Sequence, residues 1–322
     1  MPNFNELFNN YLQSSKLKKN PTGLYKPIIY LLNLGGKRIR PMLTLMATDV
    51  FGCDIKRGLP SALSIELFHN FTLAHDDIMD DAPLRRGQKT VHEKWSVNTG
   101  ILSGDAMLVK AYQSLEAYPD ELFAKLAKLL SKTAIEVCEG QQYDIDFETK
   151  KETSIEDYLK MIKLKTGVLL GCALKMGAYV SGGSENEAQK IYDFGVMLGM
   201  AFQIQDDYLD AFGDPKNFGK QLGGDIIENK KTILYHNVLL LGSSDQIVQL
   251  QNLFETNKKI SKEDKILAVK ELFKETGAAE ASQNLLHYYT KEAFDILDSV
   301  EINLEKKQQL IDFANQLMQR KD

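Results

Sequence analysis

Two short clusters of aspartates are the residues of this sequence best suited to do chemistry. A DDIMDD segment begins at Asp76, and a DDYLD segment begins at Asp206. Each follows a strongly apolar run with helical spacing, and residues four apart on a helix are offset by only about 40° and about 6 Å. Asp76 and Asp80 are therefore expected to share one helix face. The same holds for Asp206 and Asp210.

Such clusters are costly unless a cation offsets their charge. Carboxylates four apart repel each other, and the C-terminal end of a helix disfavours negative charge. Mg²⁺ prefers oxygen ligands and typically takes one or two carboxylates together with waters and substrate phosphates. One cluster alone could be a solvated acidic helix end, but two of the same spacing favour a Mg²⁺ site. The candidate ligands, with the flanking aspartates, are Asp76, Asp77, Asp80, Asp206, Asp207 and Asp210.

A metal site this acidic implies an anionic ligand, and basic residues stand beside glycines near both clusters. Arginine suits bidentate recognition of phosphate, and lysine supplies a point charge. Any one of these residues could also be an ordinary surface charge. No Walker A segment occurs, and the His92-Glu93 pair lacks the second histidine of a zinc protease. The candidates for anion binding are Lys37, Arg38, Arg40, Arg85, Arg86, Lys165, Lys220 and Lys230.

Helices are the elements expected to position these residues. Apolar residues recur at spacings of three and four, while strand-like alternation is nearly absent. We expect an all-α fold of about ten to thirteen helices in a single domain spanning residues 1–322. The breaks are expected near residues 34–37, 52–60, 82–89, 181–184 and 213–225.

Local signals mark several of these helices. Thr153 with Glu156, and Ser184 with Glu187, have the spacing of capping boxes at helix starts. The most apolar stretch, residues 167–180, is too short for a membrane span and contains Lys175. It is therefore expected to be a buried helix.

Composition narrows the class of protein. The chain has 322 residues, of which 43% are hydrophobic and 26% charged, a balance typical of a globular protein with a large core. The net charge of -5 and the lack of a long basic stripe argue against a nucleic-acid partner. Cys53, Cys138 and Cys172 are scattered, as expected for thiols in a reducing compartment. The N-terminal segment lacks the apolar core of a signal peptide, so we expect a cytoplasmic protein without a membrane span.

Several motifs in a fixed order resemble those of the trans-prenyl diphosphate synthases, the polyprenyl synthetases that include farnesyl and geranylgeranyl diphosphate synthases. The resemblance extends over nearly the whole chain, and it implies a bundle of long helices around a deep cavity, usually in a homodimer. Its motifs are GGKRIRP from Gly35, HNFTLAHDDIMDDAPLRRG from His69, LSGDAML from Leu102, GQQYD from Gly140, KTG from Lys165, FQIQDDYLD from Phe202 and GKQLGGDI from Gly219.

The resemblance also implies a role for individual residues. Asp76, Asp80 and Asp206 resemble direct ligands of three Mg²⁺ ions, for which Mn²⁺ can substitute. Asp77, Asp207 and Asp210 would support them, partly through water. The allylic diphosphate would be held by Arg85, Lys165 and Lys220, with Lys230 as a further substrate-binding residue. Isopentenyl diphosphate would be held by Lys37, Arg40, His69 and Arg86. Thr166 and Gln203 would lie beside the developing carbocation.

The chemistry implied by this resemblance agrees with the residues. Mg²⁺ and the basic groups would stabilise a departing diphosphate, and the double bond of isopentenyl diphosphate would attack the allylic cation left behind. The protein would supply position and a dry apolar cavity. No nucleophilic side chain is needed. His75, beside Asp76, is expected to have a structural role rather than to act as a base.

Product length is expected to depend on residues just before the first aspartate cluster. By resemblance, Phe71 and Phe68 would form the floor of the product tunnel, although helix geometry alone would choose Thr72. One helical turn is about 5.4 Å, roughly one isoprene unit. An aromatic residue here, without the two-residue insertion of some bacterial members, resembles the pattern that forms geranylgeranyl diphosphate (C20). Farnesyl diphosphate (C15) and then longer products are the alternatives, and Phe68 and Phe71 could instead be ordinary core residues.

Three alternatives to a synthase fit parts of this sequence, the least favoured being an unrelated helical scaffold that merely binds a divalent metal. A class I terpene cyclase would use the first aspartate cluster, but its second metal motif normally has an Asn/Ser/Glu pattern, and it does not need the GGKRIRP segment. A non-catalytic partner subunit usually loses one aspartate cluster, and both are intact here. The sequence therefore favours the synthase.

Overall fold

Helices dominate the residues that the structure describes. The computed structural model describes residues 3–15, 20–150, 152–213, 223–255 and 260–319. The helices are α1 (Phe4–Ser14), α2 (Thr22–Asn33), α3 (Ile39–Val50), α4 (Leu59–Met79), α5 (Val91–Lys94), α6 (Val97–Leu115), α7 (Asp120–Thr149), α8 (Ile155–Ile162), α9 (Val168–Val180), α10 (Glu185–Phe212), α11 (Gly224–Ile227), α12 (Ile233–Leu241), α13 (Ser244–Phe254), α14 (Lys262–Glu275), α15 (Ala278–Asp298) and α16 (Leu304–Met318).

The all-α prediction is confirmed, with small additions. A 3-10 turn precedes α4 at Ile55–Gly58, and a π-helical turn, Lys163–Gly167, joins α8 to α9. Two two-residue strands, β1 (Leu84–Arg85) and β2 (Gln88–Lys89), form an antiparallel hairpin inside the predicted break at residues 82–89. The expected number of helices was too low, because short helices such as α5 and α11 carry too few residues to show a periodic pattern.

The predicted start of α8 is wrong by one residue. Ser154, not Thr153, is the N-cap: its hydroxyl accepts from the Asp157 N–H at 3.0 Å, and the Asp157 carboxylate accepts from the Ser154 N–H at 3.2 Å. Two overlapping segments fit the same capping pattern, so spacing alone could not choose between them. Ser184 does cap α10, since its hydroxyl accepts from the N–H of Glu187 at 3.2 Å.

The apolar stretch at residues 167–180 is a buried helix, as predicted. Every residue of α9 is buried, including Lys175. The Lys175 ammonium donates to Gln189 at 2.7 Å and pairs with Glu185 at 2.9 Å, which compensates its burial. Within the described ranges, no helix combines the length and hydropathy that crossing a bilayer requires.

The chain groups into two compact units. Unit 1 comprises residues 1–132, 172–192 and 300–307, and unit 2 comprises residues 133–171, 193–299 and 308–322. In unit 1, α4 packs against α6 and α3. In unit 2, α12 packs against α15, and a cluster of apolar side chains surrounds α8. The expectation of a single domain remains a prediction.

Candidate active site

The first aspartate cluster ends α4 in unit 1. The buried core of this helix, including Phe68 and Leu67, anchors it, and Asp80 is its C-cap residue. The Asp80 N–H donates to the carbonyl of Asp76 at 2.8 Å, so the last helical turn is intact and the two aspartates share a face, as predicted. Asp81 then takes a left-handed conformation, with φ of 47°, and the chain leaves the helix.

Asp77 is held by an arginine. It is only 1% exposed, and Arg85 on β1 donates from Nε to both of its carboxylate oxygens, at 2.8 and 3.0 Å. The Arg85 Nη2 atom adds an ion pair at 2.6 Å. The hairpin thus returns Arg85 to the end of α4. Asp77 was predicted to support a metal and Arg85 to hold a diphosphate; the structure joins the two to each other, and both roles stay predictions.

The glycine-rich loop before α3 has an unusual backbone. Gly35, Gly36 and Arg38 all have positive φ, of 82°, 116° and 49°. The guanidinium of Arg86 lies against Gly36, where a Cβ atom would come within 2.6 Å of its Cζ, and it donates to the carbonyl of Gly35. Only glycine at this position allows so close an approach.

Arg38 forms its contacts within the protein. It is buried and donates to Glu66 and to the carbonyl of Leu32. Asn70 donates to the same Glu66 carboxylate at 2.8 Å. Arg38 was a candidate for anion binding, but this buried pairing indicates that it holds the loop in its left-handed conformation.

Arg40 and His69 lie side by side, with Nη1 of the arginine 3.2 Å from Nε2 of the histidine. Burial, and then the charge of Arg86, lowers the pKa of Arg40 to about 10 although Glu66 raises it, and its buried Nε atom has no hydrogen-bond partner among the described residues. Burial and the charges of Arg40 and Arg85 hold the pKa of His69 well below its usual 6.5.

Four guanidinium groups and two buried carboxylates lie close to His69. The guanidinium groups of Arg38, Arg40, Arg85 and Arg86 all lower the pKa of His69, while the buried carboxylates paired with them are those of Glu66 and Asp77. Lys37 is exposed beside them. An excess of fixed, partly buried positive charge fits a multiply charged anion such as a diphosphate.

Asp206 and Asp207 of the second aspartate cluster line an acidic cavity of about 190 Å³ in unit 2. Three glycines bring its walls together: a Cβ at Gly140 would lie 2.3 Å from the backbone nitrogen of Lys165, and one at Gly199 would lie 2.7 Å from Cα of Gly167. This backbone packing places the π-helical turn against α7 and α10. The lining residues include Asp144, Tyr158, Lys165, Thr166, Gln203, Asp206, Asp207, Asp225, Lys230 and Lys231.

A chain of hydrogen bonds runs through Asp207. The Tyr158 hydroxyl donates to Oδ2 at 2.5 Å, and Nε2 of Gln203 donates to Oδ1 at 2.9 Å. The Thr166 hydroxyl in turn donates to Oε1 of Gln203 at 3.0 Å. Thr166 and Gln203 are therefore in contact, and their role beside a carbocation stays a prediction.

Several carboxyl groups crowd this cavity, and each disfavours the ionisation of the others. Burial, together with repulsion from Asp206 and Asp210, raises the pKa of Asp207 to about 7 although hydrogen bonds favour its charged form. Burial and the same cluster raise the pKa of Asp225 well above its usual value. The Asp225 N–H donates to Oδ2 of Asp210 at 3.0 Å, which ties the short helix α11 to α10.

The predicted lysines are partnered by carboxylates. Lys165 donates to Asp144 at 2.5 Å. Lys230 pairs with Glu228 at 3.0 Å and lies 3.9 Å from Asp225, and these acids raise its pKa although burial opposes them. Lys220 lies outside the described residues.

The donor set fits Mg²⁺, although none of the described residues form a ready-made group of three metal ligands. Repulsion among Asp206, Asp207, Asp210 and Asp225 shows an excess of carboxylate charge, and hard oxygen donors match this cation. Because Mg²⁺ usually binds through one or two carboxylates plus substrate phosphates, a complete protein cage is not expected.

The residues predicted to limit product length lie on α4. Phe68 is fully buried, whereas Phe71 is half-buried and packs on His75 with ring centroids 4.8 Å apart. The Thr72 hydroxyl donates to the carbonyl of His69 at 2.9 Å. His75 itself packs on Gly104, where a Cβ would come within 2.3 Å of its Nε2, which agrees with a structural role.

Sequence reasoning missed the partners of the predicted residues. Glu66, Asp144 and Tyr158 were not singled out, and their contacts join positions 21 to 49 residues apart. Asp225 could have been predicted from the sequence, since it follows Gly223-Gly224 in the GKQLGGDI motif. An acidic residue after a glycine-rich loop could have been added to the acidic set.

Known proteins match this chain closely. The family model described as Polyprenyl synthetase matches residues 21–273. A crystal structure of a geranylgeranyl pyrophosphate synthase is 49% identical, covers 100% of both chains and superposes with a TM-score of 0.96. The geranylgeranyl diphosphate synthase of Methanosarcina mazei is 37% identical over 93% of this chain and 90% of its own. The geranylfarnesyl diphosphate synthase of Natronomonas pharaonis is 33% identical over 98% of this chain and 95% of its own.

The chain therefore belongs to the polyprenyl synthetase family, and its fold is that of the isoprenoid synthases. The family predicted from the order of the motifs is confirmed.

Proposed function

We propose that the protein is a prenyltransferase that condenses isopentenyl diphosphate head to tail with C5, C10 or C15 allylic diphosphates and releases geranylgeranyl diphosphate (C20). The observation that carries this proposal is the cluster of four arginines around His69, a partly buried group of positive charges suited to a diphosphate. Membership of the family and the names of the similar synthases support the same reaction.

Each group of residues has a proposed part in binding. Isopentenyl diphosphate is held by Lys37, Arg40, His69 and Arg86, and the allylic diphosphate by Arg85, Lys165 and Lys220. Lys230 is a further substrate-binding residue. Asp76, Asp80 and Asp206 hold Mg²⁺, three ions in all, with Asp77, Asp207 and Asp210 in support. When bound, Mg²⁺, or Mn²⁺ in its place, supplies positive charge that offsets the diphosphate and eases its departure.

The reaction needs position and charge more than a reactive side chain. The C1–O bond of the allylic substrate breaks, and the electrons leave with the diphosphate. The double bond of isopentenyl diphosphate then forms the new C–C bond, and loss of a proton, to the released pyrophosphate, restores an alkene. The oxygens of Thr166 and Gln203 face the developing positive charge in this proposal, an electrostatic contribution.

Two further properties belong to the proposal. The protein is a homodimer, as the resemblance to the family implies, and it works in the cytoplasm, as the sequence of its N-terminal segment suggests. Light scattering on purified protein at several concentrations tests the dimer, which would give twice the chain mass of 36.4 kDa.

The reaction is tested by supplying substrates separately. Purified protein is incubated with isopentenyl diphosphate, Mg²⁺ and one of the three allylic diphosphates, and product length is read by mass spectrometry. A C20 product that chelator abolishes supports the whole proposal. A C15 or C25 product would keep the reaction and correct the length, and C25 is the product named for the similar Natronomonas pharaonis enzyme. Turnover of an allylic diphosphate without isopentenyl diphosphate would instead indicate a cyclase.

A further inference from the structure

Tyr158 carries a hydroxyl group that no proposed step uses. Its side chain is 1% exposed, and its hydroxyl donates to Oδ2 of Asp207 at 2.5 Å. The ring is fixed in a cluster with buried apolar residues of unit 2, among them Phe147, Met161 and Ile204. A buried ring in such a setting has one orientation, so its hydroxyl defines one position for the Asp207 carboxylate.

Asp207 in turn restrains Gln203, which lies on the same helix. Its second oxygen, Oδ1, accepts from Nε2 of Gln203 one turn earlier, at 2.9 Å. Both carboxylate oxygens therefore accept a hydrogen bond from the protein. Asp207 is 6% exposed, so the two donors compensate a charge that is costly to bury.

The amide of Gln203 is oriented by this contact. A glutamine amide has a donating end and an accepting end, so donation from Nε2 to Asp207 leaves Oε1 on the other side. The Thr166 hydroxyl donates to that Oε1 at 3.0 Å. Thr166 lies on the π-helical turn, whose backbone is fixed by the close approach of Gly167 and Gly199.

We propose that Tyr158 is a positioning residue for the condensation: through Asp207, its hydroxyl fixes the amide of Gln203 and the hydroxyl of Thr166 on the wall of the acidic cavity. This inference rests on the proposed function, in which those two oxygens face the reacting carbon. It also gives Asp207 a second role beside its support of the metal ligands, because each of its oxygens accepts one hydrogen bond and keeps a further lone pair.

The first test is Tyr158→Phe, which removes the hydroxyl and keeps the ring. A positioning role predicts that kcat falls about tenfold or more while KM for either substrate changes by less than about twofold, because the groups that hold the diphosphates are untouched. Tyr143→Phe is the matched control. The Tyr143 hydroxyl accepts a hydrogen bond from the exposed Lys160 ammonium at 2.7 Å and takes no part in the contacts of Asp207. The kcat of the Tyr143→Phe variant is therefore expected to equal that of the wild type.

A double-mutant cycle separates positioning from general loosening of the core. If Tyr158 acts through Gln203, adding Tyr158→Phe to a Gln203→Ala variant lowers kcat by less than about twofold further. The amide that Tyr158 would position is already absent from that variant. If the two losses multiply, or if Tyr158→Phe alone leaves kcat unchanged, the positioning role is wrong. Thermal melts of all four proteins confirm that each is folded at the assay temperature.

A crystal structure of Tyr158→Phe makes the test independent of the reaction. The inference predicts that the Gln203 amide rotates, so that its contacts to Asp207 and Thr166 lengthen beyond hydrogen-bond range. Unchanged contacts would overturn the inference whatever the enzyme catalyses. Absence of any condensation by the wild-type protein would instead overturn the proposed function. The crystal structure of Tyr158→Phe would still decide whether Tyr158 orients the Gln203 amide.

Discussion

Phe68 and Phe71, three residues apart on α4, differ in burial. We therefore expect Phe68 to contribute to core packing and Phe71 to limit product length. Phe68 is fully buried, so Phe68→Ala is expected to cost about 3–5 kcal/mol of stability through the cavity it leaves. Phe71 is half-buried and contacts His75 and Phe68 through its ring. Phe71→Ala is therefore expected to lower stability less and to lengthen the product by one isoprene unit or more, measured by mass spectrometry.

Phe71→Leu is the control for this prediction. It keeps an apolar side chain of similar reach and should shift product length less than alanine does. If the alanine variant folds, turns over and yields the wild-type length, Phe71 does not limit the chain, and the half-buried Thr72 becomes the next residue to test.

His236 is a buried neutral histidine that should make stability depend on pH. It is 2% exposed, its Nε2 lies 3.5 Å from the Thr153 hydroxyl, and burial lowers its pKa to about 4 against an ordinary 6.5. Between these values the unfolded chain binds the extra proton and the folded chain does not. Stability therefore rises with pH across this window and falls as pH drops from 6.5 toward 4, by about 2 kcal/mol at pH 5.

Urea unfolding of the wild type and of His236→Gln at pH 7 and pH 5 measures this contribution. The variant has no imidazole to protonate, so its loss of stability between the two pH values should be smaller than that of the wild type. An equal loss in both proteins would mean that other groups cause the acid sensitivity.

At the scale of elements, the positions of the catalytic candidates depend on glycines between helices. A Cβ at Gly140 would meet the backbone of Lys165, and one at Gly199 would meet that of Gly167. Backbone atoms cannot rotate away, so Gly199→Ala is expected to destabilise by about 1–3 kcal/mol and to lower kcat by displacing Thr166. Urea unfolding and steady-state kinetics check the two effects.

Gly23 offers the opposite case. It lies in α2, and nothing lies within 4 Å of the Cβ that alanine would add. Gly23→Ala should therefore stabilise the protein by about 0.4–1 kcal/mol, because it only restricts the unfolded chain. If both alanine variants had the same effect, backbone packing at Gly199 would not be the reason for its glycine.

The sequence predicted long elements better than short ones. The apolar spacing of α4, α9 and α10 was strong enough to indicate each helix and to place the aspartates near the ends of α4 and α10. The π-helical turn and the left-handed Arg38 could not be predicted, because they arise from contacts between separate segments. Gly140 approaches Lys165, and Arg38 reaches Glu66, only after the chain has folded.

The same limit applies to the candidate site. Residue type and order suggested which aspartates and basic residues matter, and the family was recognised from them. The pairs that restrain those residues, such as Arg85 with Asp77 or Tyr158 with Asp207, join different elements and are set by tertiary packing. Sequence spacing carries no information about such pairs, so it predicted the candidate ligands and not their restraints.

For the whole molecule, the two units carry opposite unbalanced charges. Unit 1 gathers four guanidinium groups around His69, and unit 2 gathers carboxyl groups around Asp207. Pyrophosphate complements the first group and Mg²⁺ the second, so each ligand should stabilise the folded chain.

Thermal melts measure both effects. At about one hundred times its dissociation constant, each ligand adds about 2.7 kcal/mol of stability, so Tm should rise with either one. Asp206→Asn should lose most of the increment that depends on Mg²⁺ while keeping the shift from pyrophosphate alone, since the arginines are unchanged. Sulfate with Mg²⁺ controls for ionic strength. If Mg²⁺ raised the Tm of Asp206→Asn as much as that of the wild type, Asp206 would not hold the cation.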